Sequence, residues 1–401
     1  MRALVAPASL ALLPLVLWPG LVHPFSRPKL AFMAAVVAGA LLMPGSGGRV
    51  RLALALRWCA FGWVATFVVA AVAAGVPAID PLLLGVMAPL LPLALLRGGA
   101  SPVGMLAGMA VGASACAAVA LLQWVGQDPF GWIGWDAPVD GASVRMRVYG
   151  TLGNPNFVGA LMAMSLPLTA AVHREGSSRW HRRLAEVAVA MQALAIVATG
   201  SRGAVLGLGA AAAVYASLRW SRRVRLAVAG LIVFAALAVA SSPARPLDTT
   251  VAGRVHLWRI AARHAAAAPV TGQGPGAVTR QFPNWQRVAA RTGVRDPRFA
   301  GPTDHVHNDY LEALIERGVP GLLALIVPLG LAVVQTARRR PAPISPVAAG
   351  ACAALTAGAA CALVDYPLAR PTELAWWWVA LAIALQSAGA PMQAGPESRA
   401  P

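Results

Sequence analysis

Residues 102–125 read PVGMLAGMAVGASACAAVALLQWV and contain no charged side chain. About 20 such residues in a helix cross the hydrocarbon core of a bilayer. Similar runs recur along the 401 residues, of which 58% are hydrophobic and 12% are charged. Soluble domains carry about 25% charged residues. The composition therefore predicts an all-α polytopic membrane protein.

Twelve apolar segments are predicted to be transmembrane helices, near residues 4–22, 30–46, 52–76, 81–97, 102–125, 155–173, 184–199, 203–218, 224–241, 318–337, 344–366 and 372–388. The first segment lacks a small-residue cleavage site, which favours a retained helix over a signal peptide. Residues 1–388 are predicted to form a single transmembrane domain. The tail 389–401 is predicted to be disordered and cytoplasmic.

The basic residues support this number of helices. The net charge is +18, and Lys29 is the only lysine. In a soluble protein this excess would indicate nucleic acid as a partner. With the N-terminus inside, however, the cytoplasmic segments hold sixteen arginines, and the short loops on the other side hold six basic residues. This asymmetry follows the positive-inside rule, so the bilayer is the predicted partner and nucleic acid is not.

The cysteines are predicted to be small packing residues, because all four lie inside apolar runs. They are Cys59, Cys116, Cys352 and Cys361. Neither disulfides nor metal ligands are expected from them.

Two long loops are predicted on the non-cytoplasmic side, at 126–154 and, between spans nine and ten, at 242–310. Loops of this length in a compact protein are usually functional. Apolar residues at helical spacing predict a helix over 255–267 within the second loop. A further short helix is predicted to begin at Asp309 and to be interrupted at 318–321 before the next membrane span.

Residues 303–321, TDHVHNDYLEALIERGVPG, form the densest cluster of titratable side chains in the chain. His307 is the leading candidate for a general base, because nearby carboxylates can adjust the pKa of a histidine for proton transfer. A merely solvated loop histidine is the alternative. Asp304, His305, His307 and Asp309 could also be metal ligands, but no further set of donors at ligand spacing supports a metal site.

Three arginines are candidate ligands for an anion. Arg202 lies in a tight turn between two spans, where a charge is costly, and Ser201 is placed to cap the following helix. Snorkelling of Arg202 to the interface is the alternative. Arg254 begins the predicted loop helix.

Arg147, with Arg145 beside it, precedes a turn in which Asn154 is the predicted N-cap and Pro155 the first helical residue. Gly150 and Gly153 allow close backbone approach there. Basic side chains beside exposed helix N–H groups would cradle a phosphate, although a well-formed loop and cap would explain the same residues. No acids match these arginines in the sequence, which favours a diphosphate over internal salt bridges.

The chain contains neither a P-loop nor a dinucleotide-binding glycine pattern. Any driving energy is therefore expected from the substrate itself or from an ion gradient.

These motifs together resemble the O-antigen ligase family. The resemblance rests on His307-Asn308 followed by Gly318 and Gly321, and on three further blocks in family order. Those blocks are 147–156, 201–203, and Gly253-Arg254 to Trp258 with the 269–276 turn. It covers roughly residues 145–380.

The resemblance implies a twelve-helix, inverting glycosyltransferase of the GT-C type in lipopolysaccharide or polysaccharide biosynthesis. Such an enzyme moves a glycan from undecaprenyl diphosphate to an acceptor hydroxyl at the periplasmic face of the bacterial inner membrane, without metal, nucleotide or other cofactor. His307 would be the catalytic base, and Arg147, Arg202 and Arg254 would bind the diphosphate. Supporting residues would be Asn154, Asn156, His305, Asn308, Asp309, Tyr310, Gly318 and Gly321.

Other functions remain open at this point. The family includes ligases, polymerases and protein O-glycosyltransferases, so the acceptor could be a lipid, a glycan or a protein. His305 is a second candidate base. A flippase for a lipid-linked glycan would also use arginines, although transporters usually place ionisable residues near the bilayer midplane. A scaffold subunit of an envelope machine is the remaining class.

Overall fold

The computed structural model describes residues 2–43, 53–75, 78–135, 148–175, 178–219, 221–223, 225, 247–294, 296, 301, 303–338 and 344–389, and it contains helices and no strand over them. The helices are α1 Arg2–Leu12, α2 Arg27–Leu42, α3 Leu54–Ala74, α4 Ile79–Arg97, α5 Pro102–Trp124, α6 Pro155–Glu175, α7 Arg179–Thr199, α8 Arg202–Arg219, α9 Leu247–Ala265, α10 Ala277–Arg291, α11 Asp309–Ala337, α12 Pro346–Cys361 and α13 Pro371–Gly389. Short 3₁₀ turns lie at Leu13–Leu15, Gly131–Ile133 and Pro367–Ala369.

Five described helices are long and apolar enough to cross a membrane: α3, α4, α5, α6 and α11. Leu4–Leu15 and α12 are shorter apolar helices. The all-helical membrane fold predicted from composition is therefore confirmed at this level, while the total of twelve spans stays a prediction. Apart from Arg225 and Gly389, the predicted span 224–241 and the predicted tail 389–401 lie outside the described residues.

The first predicted span, 4–22, is wrong as one continuous helix. The α-helix ends at Leu12 and passes into the 3₁₀ turn. Pro14 lies in that turn, and a proline there cannot donate the next helical hydrogen bond. Helix α1 packs tightly on α5. A Cβ at Gly108 would lie only 2.3 Å from the carbonyl oxygen of Pro7, so the two helices approach closely where Gly108 has no side chain.

Helix α12 lies at the centre of the bundle and is buried along nearly its whole length. Its residues are mostly alanine and glycine, which let neighbouring backbones approach closely. A Cβ at Gly350 would lie 2.8 Å from the carbonyl oxygen of Pro167 on α6, and one at Gly207 on α8 would lie 2.5 Å from Cys361 Sγ. Small residues therefore fix the positions of α6 and α8 around α12.

Helices α9 and α10 form a small separate core with the chain around residue 306. Its buried side chains include Ile260, Phe282, Trp285, Val306 and Ile315. The helix predicted over 255–267 is confirmed, although α9 begins earlier, at Leu247. The long loop is therefore a folded unit that packs on the first part of α11.

The predicted interruption of α11 is confirmed at Gly318, which adopts φ 67° and ψ −167°. The carbonyl groups of Ile315 and Glu316 accept hydrogen bonds from the backbone of the 269–276 turn, at 2.8 and 3.0 Å. Val319 N–H donates to the carbonyl of Pro269 at 2.8 Å. These hydrogen bonds join the 269–276 turn to the segment 303–321, which are two of the sequence motifs.

Candidate functional site

The first turns of α6, α8 and α11 meet beside the start of α13. Asn154, Ser201 and Asn308 each accept a hydrogen bond from a backbone N–H of the helix they precede, at 2.8, 3.3 and 2.9 Å. The predicted caps Asn154 and Ser201 are confirmed. Helix N-termini carry partial positive charge, so their convergence favours an anion at this end of the bundle.

His307 lies at the centre of this region. It has φ 53°, the left-handed conformation that non-glycine residues seldom adopt. Its Nδ1 lies 3.1 Å from Oδ1 of Asp365, a carboxylate that is only 5% exposed. An ionised carboxylate accepts the Nδ1 proton, which leaves the lone pair on Nε2.

The residues that follow His307 attach it to the connection between α12 and α13. The side chains of Asn308 and Tyr310 donate to backbone carbonyls at 3.1 and 2.8 Å, and Asp309 N–H donates to a third at 3.0 Å, all within 359–363. The Asp309 carboxylate accepts from Leu368 N–H at 2.9 Å. These bonds hold the His307 backbone against the segment that carries Asp365.

Arg254 lies on the other side of the same carboxylate, with NH2 3.9 Å from Asp365 Oδ2. Burial lowers the pKa of Arg254, Asp365 opposes this shift, and nearby Arg202 lowers the pKa further. Trp258, one turn along α9, donates from Nε1 to the carbonyl of Val306 at 2.9 Å. The structure therefore brings Arg202, Arg254 and His307 together.

The expectation that no acid accompanies these arginines is wrong, because Asp365 contacts Arg254 from more than 100 residues away in the chain. Asp365 ends the apolar segment predicted over 344–366. An ionisable residue in such a segment is a functional hypothesis by default. That signal could have identified Asp365 from the sequence.

Arg147 and Arg145 lie outside the described residues. The turn that follows them is fixed by Gln123, whose side-chain oxygen accepts from Tyr149 N–H and Gly150 N–H at 3.0 and 2.7 Å. Gly150 and Gly153 have φ 54° and 82°, as their predicted roles require.

This turn leads into α6, which reaches the site through Phe157. The Phe157 ring lies 5.1 Å from that of Tyr366. Asn156 contributes its backbone N–H to the Asn154 cap.

His305 occupies a different environment from His307. Its Nδ1 lies 2.7 Å from Glu312 Oε1, and its ring stacks on Tyr366 at 4.0 Å. Burial by itself lowers the pKa of His305, but the charge and hydrogen bond of Glu312 outweigh it and raise the pKa above 6.5. The His307 ring meets Tyr366 edge-on at 5.0 Å. Tyr366 thus contacts both histidines.

The donors considered as metal ligands bind separate partners. His305 contacts Glu312, His307 contacts Asp365, and Asp309 accepts from Leu368. Among the described residues, no group of three His, Cys, Asp or Glu side chains is close enough to hold a metal ion.

Gly318 and Gly321 allow close contacts at the break in α11, which follows the site residues in the chain. A Cβ at Gly318 would lie 2.6 Å from the carbonyl oxygen of Pro269, and one at Gly321 would lie 2.3 Å from Cβ of Arg317. The first glycine admits the 269–276 turn. The second leaves room for the Arg317 side chain, which is buried against Trp63 and Phe67.

The His305–Glu312 pair predicts a pH dependence of stability. Because the folded-state pKa of His305 is raised, its contribution is fully present below pH 6.5 and is lost as pH rises through the folded-state pKa. The thermal unfolding temperature of the wild type is therefore expected to fall over this interval, and the profile of Glu312→Gln to be flatter. Glu186→Gln, which removes the exposed partner of the half-buried His173, is the matched control. If the unfolding temperatures of the wild type and Glu312→Gln depended on pH in the same way, the His305–Glu312 pair would not be the cause.

Fold and site together define a polytopic helical membrane protein in which converging helix starts surround a His–Asp–Arg cluster. Residues 187–326 match the family model described as O-Antigen ligase. The matched segment includes Arg202, Arg254 and His307, and the resemblance predicted from the motifs is confirmed. No curated protein matches the chain. The family domain points to glycan transfer in O-antigen or polysaccharide assembly.

Proposed function

We propose that the protein transfers a glycan from an undecaprenyl-diphosphate donor to an acceptor hydroxyl at the periplasmic face of the inner membrane, with inversion at the anomeric carbon. The observation that supports this most is the 3.1 Å contact between His307 Nδ1 and the Asp365 carboxylate, beside Arg254 and Arg202. It is the arrangement expected of an oriented general base next to an anion-binding site.

In this mechanism the acceptor hydroxyl gives its proton to Nε2 of His307 while its oxygen attacks the anomeric carbon of the donor sugar. The bond from that carbon to the diphosphate oxygen breaks, and undecaprenyl diphosphate leaves with the electron pair. Asp365 holds the ring with Nε2 free and stabilises the imidazolium that forms. Such positioned bases contribute about 10²–10⁴-fold to rate.

Arg202 and Arg254, joined by Arg147, would bind the diphosphate and stabilise the charge that grows on it as it leaves. Arg202 lies near enough to Arg254 to lower its pKa, so both guanidinium groups place positive charge at this site. The capped N-termini of α6 and α8 add to this field. No metal or nucleotide enters the proposed reaction.

The position of the ionisable groups supports a transferase over a flippase. His307 and Arg202 lie at helix starts at one end of the bundle, whereas transporters place such groups near the midplane. A polymerase would share the proposed chemistry and differ only in its acceptor. Mass spectrometry of the envelope glycans of a deletion strain would distinguish the acceptors. Loss of capped lipid would identify a lipid acceptor, shortened chains a glycan acceptor, and unglycosylated protein a protein acceptor.

Arg254→Gln is expected to raise the KM for the lipid-linked donor by about tenfold or more, because hydrogen bonds to charged groups contribute about 1.5–3 kcal/mol. The KM for the acceptor should stay the same. Arg259→Gln is the matched control, since Arg259 lies on the same helix and is exposed. Initial rates with purified protein in detergent would measure this. Equal donor KM values in both variants would exclude Arg254 from the diphosphate site.

A further inference from the structure

A cleft lies at the end of the bundle opposite the His307 cluster. Helices α7 and α8 diverge from the tight turn at Gly200, and each packs along α6 while hardly contacting the other. The cleft between them has a volume of about 480 Å³. This volume lies within the roughly 300–1,000 Å³ typical of ligand pockets. Its lining comes from α6, α7 and α8 and includes none of the residues of the candidate site.

The walls of the cleft are apolar. Ala170 on α6, Ala190 on α7 and Ala212 on α8 leave the space open because their side chains are small. Leu166 and Leu208 supply larger apolar surfaces. Water needs two to four polar partners in a buried position, and these walls offer it none. The depth of the cleft therefore suits a hydrocarbon chain.

The surface around the cleft is suited to lipid. Leu184, Val187 and Val197 on α7 and Leu206 on α8 are large apolar side chains that the protein leaves exposed. Lipid tails are as apolar as leucine side chains, so a bilayer covers such surfaces without penalty. An acyl chain can therefore reach the cleft directly from the bilayer.

The polar residues of the cleft lie at one end, where α6 and α8 end and α7 begins. His173 Nε2 lies 2.9 Å from Glu186 Oε1, so these two side chains bind each other. Arg174 beside them is exposed, and no described carboxylate forms an ion pair with it. Arg183 lies three residues before Glu186, on the same face of α7. The mouth of the cleft therefore presents guanidinium groups to a ligand.

The charge of this whole end is positive. Residues 173–186 and 219–225 contain eight arginines and two histidines, against two acids, Glu175 and Glu186. The positive-inside rule predicts that this end faces the cytoplasm, where anionic lipid headgroups attract nearby arginines. The apolar segment 224–241, which follows α8 in the chain, contains no acidic residue. An anionic lipid therefore complements both the walls and the mouth, whereas that segment complements only the walls.

We propose that the cleft between α6, α7 and α8 binds an anionic phospholipid, with an acyl chain between the helices and the phosphate at Arg174 and Arg183. The inference does not depend on the proposed glycan transfer, because the cleft and the His307 cluster lie at opposite ends of the bundle. A lipid that binds only the folded protein stabilises it. The bound lipid therefore supports two helices that have little contact with each other.

The test uses the purified full-length protein, delipidated in detergent. The probes are phosphatidylglycerol and phosphatidylethanolamine with identical acyl chains. Native mass spectrometry measures binding, and thermal unfolding measures stabilisation. Phosphatidylglycerol is expected to bind the wild type more tightly and to raise its unfolding temperature more. Arg174→Gln should weaken phosphatidylglycerol binding about fivefold or more, because one arginine near the headgroup is lost.

Ala212→Phe, which places a ring in the cleft, should abolish binding of both lipids. Two variants are matched controls that should bind phosphatidylglycerol as the wild type does. Ala213→Phe changes the neighbouring, exposed position of α8, and Arg57→Gln changes an exposed arginine near the start of α3.

Each other outcome overturns the proposal. Equal binding of the two lipids would contradict the anionic headgroup. Equal losses in Ala213→Phe and Ala212→Phe would place the lipid on the outer surface of the bundle. The same rise in unfolding temperature with glycerol phosphate alone would identify a phosphate site without an acyl chain. If the wild type bound neither lipid and Ala212→Phe unfolded at a lower temperature, the cleft would belong to the chain's own segment 224–241.

Discussion

Replacing His307 with alanine is expected to reduce glycan transfer by about 10²–10⁴-fold, the contribution of a positioned general base. The loss should appear mainly in kcat, because the arginines assigned to the donor remain intact. Transfer of labelled glycan from lipid-linked donor by purified protein measures it. His181→Ala, at the far end of the bundle on α7, is the matched control.

Asp365→Asn tests how His307 is held. It removes the charge that stabilises the imidazolium and retains the shape of the side chain, so a smaller loss than that of His307→Ala is expected, with an altered pH profile. Wild-type rates in His307→Ala, in protein that unfolds at the normal temperature, would exclude His307 as the base. Rescue of activity by His305 would appear as a loss only in the double variant.

Gly272→Ala is expected to destabilise the protein by about 3 kcal/mol or more, from a left-handed backbone cost of about 1–2 kcal/mol and an overpacking cost of about 1–3 kcal/mol. Gly272 has φ 70°, and a Cβ there would lie 2.2 Å from the backbone carbonyl of Glu316. Rigid backbone on both sides prevents relaxation. The added methyl group would push the 269–276 turn away from the break in α11. Thermal unfolding in detergent should therefore show a large fall in the unfolding temperature.

Substitutions at two other glycines distinguish the cost of backbone strain from the cost of steric overlap. Gly293 has φ 83° with no heavy atom within 4 Å of an added Cβ, so Gly293→Ala is expected to cost only the backbone component. Gly330 lies within α11 and also has open space around an added Cβ. Gly330→Ala should therefore stabilise the helix by about 0.5–1 kcal/mol. An equal effect of Gly272→Ala and Gly293→Ala would show that the packed turn is not rigid.

Much of the helical framework follows from local sequence. Apolar runs predicted α3 to α6 within a few residues, because a bilayer requires continuous apolar helices whose ends are marked by polar residues and proline. The caps Asn154 and Ser201 and the break at Gly318 were also predicted, since capping and positive φ depend on individual side chains. The prediction of span 4–22 was wrong because the α-helix ends at Leu12, before Pro14, while the apolar run continues to Trp18.

The candidate site depended on contacts that no local pattern contains. Asp365 meets His307 and Arg254 only because α12 returns between α6 and α8 and places its C-terminal end beside the start of α11. The cleft between α7 and α8 likewise needs both helices to pack along α6.

By itself, the sequence determined the membrane class, the family motifs, and His307 with Arg202 and Arg254 as candidate residues. Hydropathy, capping and glycine positions are local properties that can be read along the chain. Only the tertiary structure decided which carboxylate contacts His307, that His305 contacts Glu312 instead, and that Tyr366 contacts both histidines. Those facts arise from side chains far apart in sequence, whose distances are set by helix packing.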